Sequence, residues 1–447
     1  MERPDRARTL LAVDGRRPVP PTTSPSRRAG VAPAPSFRHS PWYMLAVLTA
    51  VNAVNWADRQ VVPILFPGIR AELGLSDTEL GIVGGLAFSF VYAIASFVFG
   101  YAADRTIRRN IVIVGLVVWS AATAASGLAT DFGSLFAARF FTGVGEASLY
   151  PAAMSLIAER FPVAGRGRAM GIFGAAAAFG SGLGVGLGGF LAETLGWRTV
   201  FFVYGAAGLA LVPLLLSVPE ATRDLRGDDG PEPPGRVVAS LLRDRRLLVL
   251  WSAGTIMIAG GFGYAAWIPS LLVRARGFEV AEAGYLFGVA ALAGGMAGSL
   301  AGGVLADRFR RRRLAGELDL SGLVALAALP LVTVVVVSAS LPALIVGGLL
   351  GPIAIYAFFP PLQTVLTEIV PQRRLGLAYA INILFLAGIG QALGPYVVGH
   401  VSDATGSLVT GLGVAVGAMG VASLLAFAAG AIIRRDTPPA RHRNAAA

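Results

Sequence analysis

The chain has 447 residues, 55% of them hydrophobic and 14% charged, with a mean hydropathy of +0.67; a soluble domain carries about 25% charged residues, so this composition belongs to a polytopic membrane protein. With no cysteine and three histidines, His39, His400 and His442, the chain offers no thiolate catalysis, no disulfide and no histidine metal centre. The formal net charge is +11 and every basic residue is an arginine; these gather in loops on one side, which excludes a nucleic-acid footprint.

Residues 1–40 are basic and Pro-rich with no apolar stretch before Trp42, and read as a disordered cytoplasmic tail rather than a signal peptide. Twelve apolar segments follow, near 42–66, 79–101, 111–129, 132–158, 168–191, 199–218, 247–272, 281–305, 317–338, 341–369, 376–400 and 407–433. Placing the amino terminus inside puts about 31 arginines in cytoplasmic tails and loops and about 4 in outer ones, so both termini are expected in the cytoplasm. The Pro-, Gly- and charge-rich stretch 219–246 is expected as a cytoplasmic loop. It divides a first six-helix bundle, 41–218, from a second, 247–433, and 434–447 forms a cytoplasmic tail. The fold class expected is an all-α polytopic protein of the cell (inner or plasma) membrane, monomeric and in contact with lipid.

The first segment is unusual. From Leu45 to Phe66 it is long enough to cross a bilayer, yet it carries Asn52, Asn55, Asp58 and Arg59. A charged side chain at the centre of a spanning helix costs about 2.5–3.5 kcal/mol on insertion scales, so these groups must face a bundle interior or a wet cavity. Asn52, Asn55 and Arg59 follow i, i+3, i+7, which makes one polar stripe, expected to line a transport pathway. The alternative is an ion pair that only locks two helices together.

Two echoes relate the halves. Gly100-x-x-x-Asp104-Arg105-x-x-Arg108-Arg109 follows the second segment, and Gly303-x-x-x-Asp307-Arg308-x-Arg310-Arg311-Arg312 follows the eighth. Glu159-Arg160-Phe161-Pro162 ends the fourth and Glu368-Ile369-Val370-Pro371 the tenth. Gly180, Gly184 and Gly188 share one face of the fifth segment, and Gly294, Gly298 and Gly302 one face of the eighth. Small residues let helices approach closely in lipid, so these two helices are expected to touch across the halves. Pro151, Pro269, Pro352 and Pro360-Pro361 fall inside expected spans and predict kinks.

The loops at Gly100–Arg109 and Gly303–Arg312 resemble the signature loop of the major facilitator superfamily, with Ile107 where that loop usually has glycine. Arg139-x-x-x-Gly143-x-Gly145-Glu146 resembles its proton-linked motif. Asn55–Gln60, Leu75–Gly81, Gly143–Ser148, Gly388–Pro395 and Ser402-Asp403 look like the spinster-type branch. The anion–cation symporter branch is similar over Gly143–Pro162 and Gly196-Trp197-Arg198. The resemblance implies twelve helices in two pseudo-repeated lobes that expose a central site to each side in turn. It implies a solute that is small, organic and possibly lysolipid-like in the spinster-type branch, with proton coupling; the alternative is an organic anion symporter, or a receptor on the same fold.

Arg139 and Glu146, seven residues apart, share a helix face. Asp58 and Arg139 each lie about 10–12 Å in from the outer end of their segments, and the resemblance sets the first and fourth helices side by side. An Asp58–Arg139 contact is therefore expected, keeping Asp58 charged. Glu146 has no obvious neighbouring cation and is expected to carry the proton, with Asp58, Arg59 and Arg139 as the charge set that responds; the alternative is a packing role. A guanidinium also offers a fork to an anionic substrate group. The substrate contacts expected are Asn55, Arg59, Tyr264 and Asn382, from a wider set with Trp267, Tyr356, Phe359, Tyr379 and Gln391. Asp104, Arg105, Arg108, Asp307 and Arg308 are expected to form a cytoplasmic latch. No metal or cofactor is expected. The chain has no lysine and no GxxxxGK[ST] loop to hold a nucleotide, and no enzymatic centre, so the expected partners are a small-molecule solute and protons.

Overall fold

A computed structural model describes residues 40–103, 106–219 and 234–436; the expected amino-terminal tail, Asp104, Arg105, most of the central loop and the last residues of the chain lie outside them. Twelve membrane-scale helices are present among the described residues, with no strand. They are α1 (Pro41–Leu73), α2 (Asp77–Ala103), α3 (Arg108–Ser126), α4 (Phe132–Glu146 and Leu149–Arg160), α5 (Val163–Leu195) and α6 (Trp197–Leu216), then α7 (Arg245–Arg276), α8 (Val280–Arg312), α9 (Gly316–Val337), α10 (Leu341–Ala357 and Phe359–Ile369), α11 (Gln372–Thr405) and α12 (Leu408–Asp436). Ten of them are long and apolar enough to cross a membrane by length and composition. The other two are α1, which carries the polar stripe, and α4, which is broken in the middle.

Local chemistry sets the ends. Ser40 caps α1, its hydroxyl accepting the Trp42 N–H at 3.3 Å ahead of Pro41, and Gly74 closes the helix at φ 67°. Ser76 and Glu79 form a reciprocal capping box at the start of α2, as Glu279 and Glu282 do at the start of α8. Several helices run past the apolar run that marks them in sequence, because polar residues beyond the hydrocarbon still close helical hydrogen bonds. The described part of the expected loop 219–246 carries local helix. Pro234–Arg243 is a short helix and α7 begins at Arg245, where Asp244 caps it by accepting the Arg246 N–H at 2.9 Å. Pro151 and the Pro360-Pro361 pair stand just after the breaks in α4 and α10, where their missing N–H groups cost nothing. Pro269 and Pro352 lie inside unbroken helical segments.

Within the first half α1 packs on α5 and α3 on α4 and α6; within the second, α12 packs on α7 and α9. The halves meet where α5 lies along α8, α2 along α11 and α1 along α7. The fifth and eighth helices therefore do touch, but through other glycines than expected. A Cβ at Gly182 would stand 2.8 Å from the Gly288 carbonyl oxygen, and one at Gly189 2.8 Å from that of Val280. Gly180, Gly184 and Gly188 instead press against Ala53, Ala57 and Val61 of α1, while Gly294, Gly298 and Gly302 press against Pro352, Ile353 and Ala357 of α10. Four-residue spacing shows that a close neighbour exists and leaves its identity open.

Candidate functional site

The polar stripe of α1 is buried inside the first half. Asp58 is 1% exposed, Arg59 9%, Arg139 2% and Glu146 1%. Asn52 turns to α5, its amide donating to the Phe173 carbonyl at 2.8 Å. Asp58 turns to α3 and α4, accepting Arg139 Nη1 at 3.4 Å on one oxygen and the Thr123 hydroxyl on the other. The expected Asp58–Arg139 contact is thus present.

Glu146 differs from expectation, since it does have a cation. Arg59 donates to Glu146 Oε2 from Nη2 at 2.8 Å and from Nε at 3.2 Å, and its Nη2 also lies 3.5 Å from Asn55 Oδ1. Adjacent residues on α1 diverge by about 100°, which is how Asp58 and Arg59 reach two acceptors on different faces of their neighbours. Two ion pairs, Asp58–Arg139 and Arg59–Glu146, therefore join α1 to α4. The Arg59 guanidinium carbon also lies 4.8, 4.7 and 4.5 Å from the ring centres of Trp56, Phe88 and Tyr92, and that of Arg139 lies 5.4 Å from Phe88. Cation–π contacts with desolvated rings are worth about 2 kcal/mol or more, so the rings compensate part of the lost hydration. Sequence reasoning missed Thr123 and this aromatic box, whose members are ordinary core residues by pattern. Three buried atoms of the layer have no hydrogen-bond partner: Asn55 Nδ2, Arg139 Nε and Glu146 Oε1.

The charged layer borders the second half. Arg59 and Arg139 line a narrow cleft of about 20 Å³ with Gln60, Phe262, Phe287 and Gln391. Next to it a chamber of about 190 Å³ opens among α1, α7, α8 and α10. Tyr264, Tyr356 and Phe359, picked out in sequence, line that chamber, and Gln391 lines the cleft. Asn382 and Asn55 are buried but line neither space, and Tyr379 is 37% exposed. Trp267 is a packing residue, donating to the Pro395 carbonyl at 2.8 Å.

At the arginine-rich ends the expected latch takes another form. Asp104 and Arg105 lie outside the described residues. Arg108 is buried and pairs with Glu159 of α4. Asp307 pairs with Arg310 of its own helix at 3.0 Å, Arg310 reaches Glu368 of α10 at 3.4 Å, and Arg308 is exposed. These pairs lie within each half rather than between halves. The two sequence echoes are partners of one another, since the loop arginines of each repeat hold the glutamate that ends its fourth helix.

The bonds between halves gather at the opposite, arginine-poor ends, and sequence reasoning missed them. Asp77, 2% exposed at the start of α2, accepts Arg274 Nη1 of α7 at 2.8 Å and the Ser402 hydroxyl of α11 at 2.7 Å, and pairs with Arg70. Asp403 of α11 accepts the backbone N–H groups of Asp77 at 3.1 Å and Thr78 at 2.7 Å. Glu193 of α5 accepts the Ala281 N–H at the start of α8 at 2.8 Å. A hydrogen bond to Glu193, and repulsion from Glu193 and Glu282, hold the Glu279 carboxyl above the usual range. The signal was present in part, because Leu75–Gly81 and Ser402-Asp403 had been singled out, though without a reason to connect them.

The sequence profile of the Major Facilitator Superfamily matches residues 48–318 and 297–447. An MFS-type efflux pump of Mycolicibacterium smegmatis is 31% identical over 402 residues, covering 88% of this chain and 91% of the pump. Spinster homolog 3 of Danio rerio is 27% identical over 413 residues, covering 87% of this chain and 80% of its own, in keeping with the spinster-type motifs. A crystal structure of a bacterial homolog of the human lysosomal transporter spinster, inward-facing and unoccupied, has the same fold, with a TM-score of 0.76, 24% identity, and coverage of 90% of this chain and 97% of that one. With a charged layer inside its first half that borders the second, and a family profile matching nearly all of its helical core, the chain belongs to the Major Facilitator Superfamily of membrane transporters.

Proposed function

We propose that this solute transporter is a secondary active carrier that couples movement of a small organic, anionic or amphiphilic solute to protons by alternating access. The observation that carries the reading is the pair of crossed ion pairs, Asp58–Arg139 and Arg59–Glu146, in a buried layer beside a cleft lined by both halves. Two carboxylates and two guanidiniums form a neutral set. A proton taken by Glu146 releases Arg59, whose fork then suits an anionic substrate group. Loss of that proton returns Arg59 to Glu146 and expels the anion, so the Glu146 carboxylate and the solute compete for one guanidinium, and proton and solute are taken up and released together. Asp58 keeps Arg139 oriented, with Thr123 occupying its second oxygen.

Alternation needs two faces that open in turn. The bonds among Asp77, Arg274, Ser402, Asp403 and Thr78 close the arginine-poor face, and the arginine-rich face is the cytoplasmic one by the positive-inside rule, with both termini there. Two bundles, 41–218 and 247–433, then rock against each other in the cell membrane as a monomer. Arg108 and Arg310, each tied to the glutamate of its own half, brace the ends that move.

The test is transport in reconstituted liposomes. Glu146→Gln abolishes uptake driven by a pH gradient and leaves counterflow exchange of the same solute. Undiminished gradient-driven uptake by that variant removes Glu146 from the mechanism. A thermal-shift screen of organic acids, lysolipids and cationic drugs at two pH values identifies ligands first, since a true ligand stabilises the folded form in proportion to its occupancy. Dose-dependent stabilisation with no flux in liposomes selects the receptor alternative. Gradient-driven uptake of sugar acids in preference to lysolipids selects the anion symporter alternative.

A further inference from the structure

Beside the charged layer the second half has a space with a different chemistry. The chamber of about 190 Å³ is lined by Trp56, Phe262, Phe287, Tyr356 and Phe359 among other apolar groups, with Gln60 and two tyrosine hydroxyls as its polar side-chain groups apart from the Trp56 indole N–H. It shares Gln60, Phe262, Ala265 and Phe287 with the cleft that Arg59 and Arg139 line, so the two spaces are neighbours across one wall of side chains. Trp56 links them further, one ring serving both as a wall of the chamber and as a face for the Arg59 guanidinium at 4.8 Å.

We infer that the chamber receives the non-ionic end of the substrate, and that the solute carried is a monoanion bearing a single aromatic ring or an alkyl group of similar size. This rests on the proton-coupled reading above. Two observations limit the substrate. The first is charge. The layer holds two cations and two anions, so one proton on Glu146 leaves one positive charge for the substrate to neutralise, which a monoanion does and a dianion exceeds. The second is volume and polarity. An apolar protein cavity of about 150 Å³ holds one benzene, whereas pockets for drug-sized ligands run to about 300–1,000 Å³. At about 190 Å³ the chamber accepts a ring with little to spare. A polyhydroxylated acid would bring more hydroxyls than Gln60, the two tyrosines and the Trp56 N–H can bond, and a long acyl chain exceeds the space.

The experiment compares acids in wild-type proteoliposomes under an inward proton gradient: phenylacetate, 4-phenylbutyrate, acetate, D-glucarate and palmitoyl lysophosphatidate. Phenylacetate is expected to be taken up beyond the amount that enters protein-free liposomes as the neutral acid, with D-glucarate needing at least tenfold higher concentration to compete for that carrier-dependent uptake. A Cβ at Gly261 meets Ile355 Cγ2 at 3.4 Å, so Gly261→Leu grows into the chamber and lowers the phenylacetate-to-acetate uptake ratio at least tenfold. Phe359→Ala enlarges the chamber and turns the preference from phenylacetate to 4-phenylbutyrate. That gain keeps the proposal testable if the leucine variant does not fold. Gradient-driven uptake of D-glucarate or the lysolipid in preference to phenylacetate, abolished by Glu146→Gln, overturns the substrate class and leaves the carrier intact. Failure of every one of these anions to respond to a proton gradient, in protein shown to be folded, overturns both.

Discussion

Asp403, two residues from the end of α11, accepts the backbone N–H of Thr78 at the start of α2 at 2.7 Å, so one half of the transporter caps a helix of the other. Glu193, two residues from the end of α5, does the same for Ala281 at the start of α8, at 2.8 Å. Ala281 is where Thr78 falls when Gly100 is set upon Gly303, so the two caps are repeat-related. Each supplies a negative charge to the positive end of a helix dipole and satisfies donors that the helix cannot.

Asp403→Ala, which removes both acceptor oxygens, is therefore expected to loosen the arginine-poor face. Loss of an N-cap costs about 1 kcal/mol, or about fivefold in the balance of open and closed forms. Because the chain has no native cysteine, spin labels on single cysteines at Ala71 and Thr405, both exposed, report only their own separation. Their distance distribution shifts to longer values in the variant. An unchanged distribution sinks the idea that this cap holds the face shut.

The neighbouring cap is expected to respond to pH. Glu279 sits above its ordinary value of 4.5 because its proton bonds to Glu193, with Glu193 and Glu282 adding repulsion once it is lost. A raised value in this closed form means that its contribution is complete below the ordinary value and disappears as pH rises through the raised one. Closure between α5 and α8 thus weakens with rising pH, and Glu279→Gln removes that dependence. The readout is the distance between spin labels on α5 and α8, recorded from pH 4 upward.

Arg59 and Glu146 should be coupled in stability, so that removing one alone costs more than removing both. Truncating one member of a buried ion pair costs about 3–5 kcal/mol, since the other charge stays buried and unmatched. Glu146→Ala leaves Arg59 with Asn55 and three rings, and a drop in melting temperature in detergent is expected. Arg59→Ala combined with Glu146→Ala recovers part of that loss. A double variant no more stable than Glu146→Ala argues against their coupling.

Thr123 gives a smaller, separate test. Thr123→Val keeps the shape and removes the hydroxyl that donates to Asp58, leaving one carboxylate oxygen short of a partner. Loss of a hydrogen bond to a charged group is worth about 1.5–3 kcal/mol, measured as thermal stability. Thr123→Ser retains the donor and should stay close to wild type. Equal losses in both variants would assign the effect to packing.

Much of this protein is written locally. The helical spans follow from hydropathy, which responds to residue type alone. The division into halves follows from the echo of Gly100–Arg109 in Gly303–Arg312, and the polar stripe of α1 from a period that any α-helix imposes. The membership of the charged layer was legible too, because Asp58, Arg59, Arg139 and Glu146 stand in apolar runs where a charge is costly and must have company. Which charge takes which was not. The rotation of α1 against α4 sends Arg59 to Glu146, and a turn of a few tens of degrees would have left the glutamate without a cation. The glycines of α5 likewise advertise a close neighbour, but only assembly decides that Gly184 meets Ala57 of α1 while Gly182 meets Gly288 of α8. The caps at Thr78 and Ala281 and the chamber beside Trp56 join residues from opposite halves. Such partners are set by how two bundles dock, a property of distances between helices that no local pattern along the chain encodes.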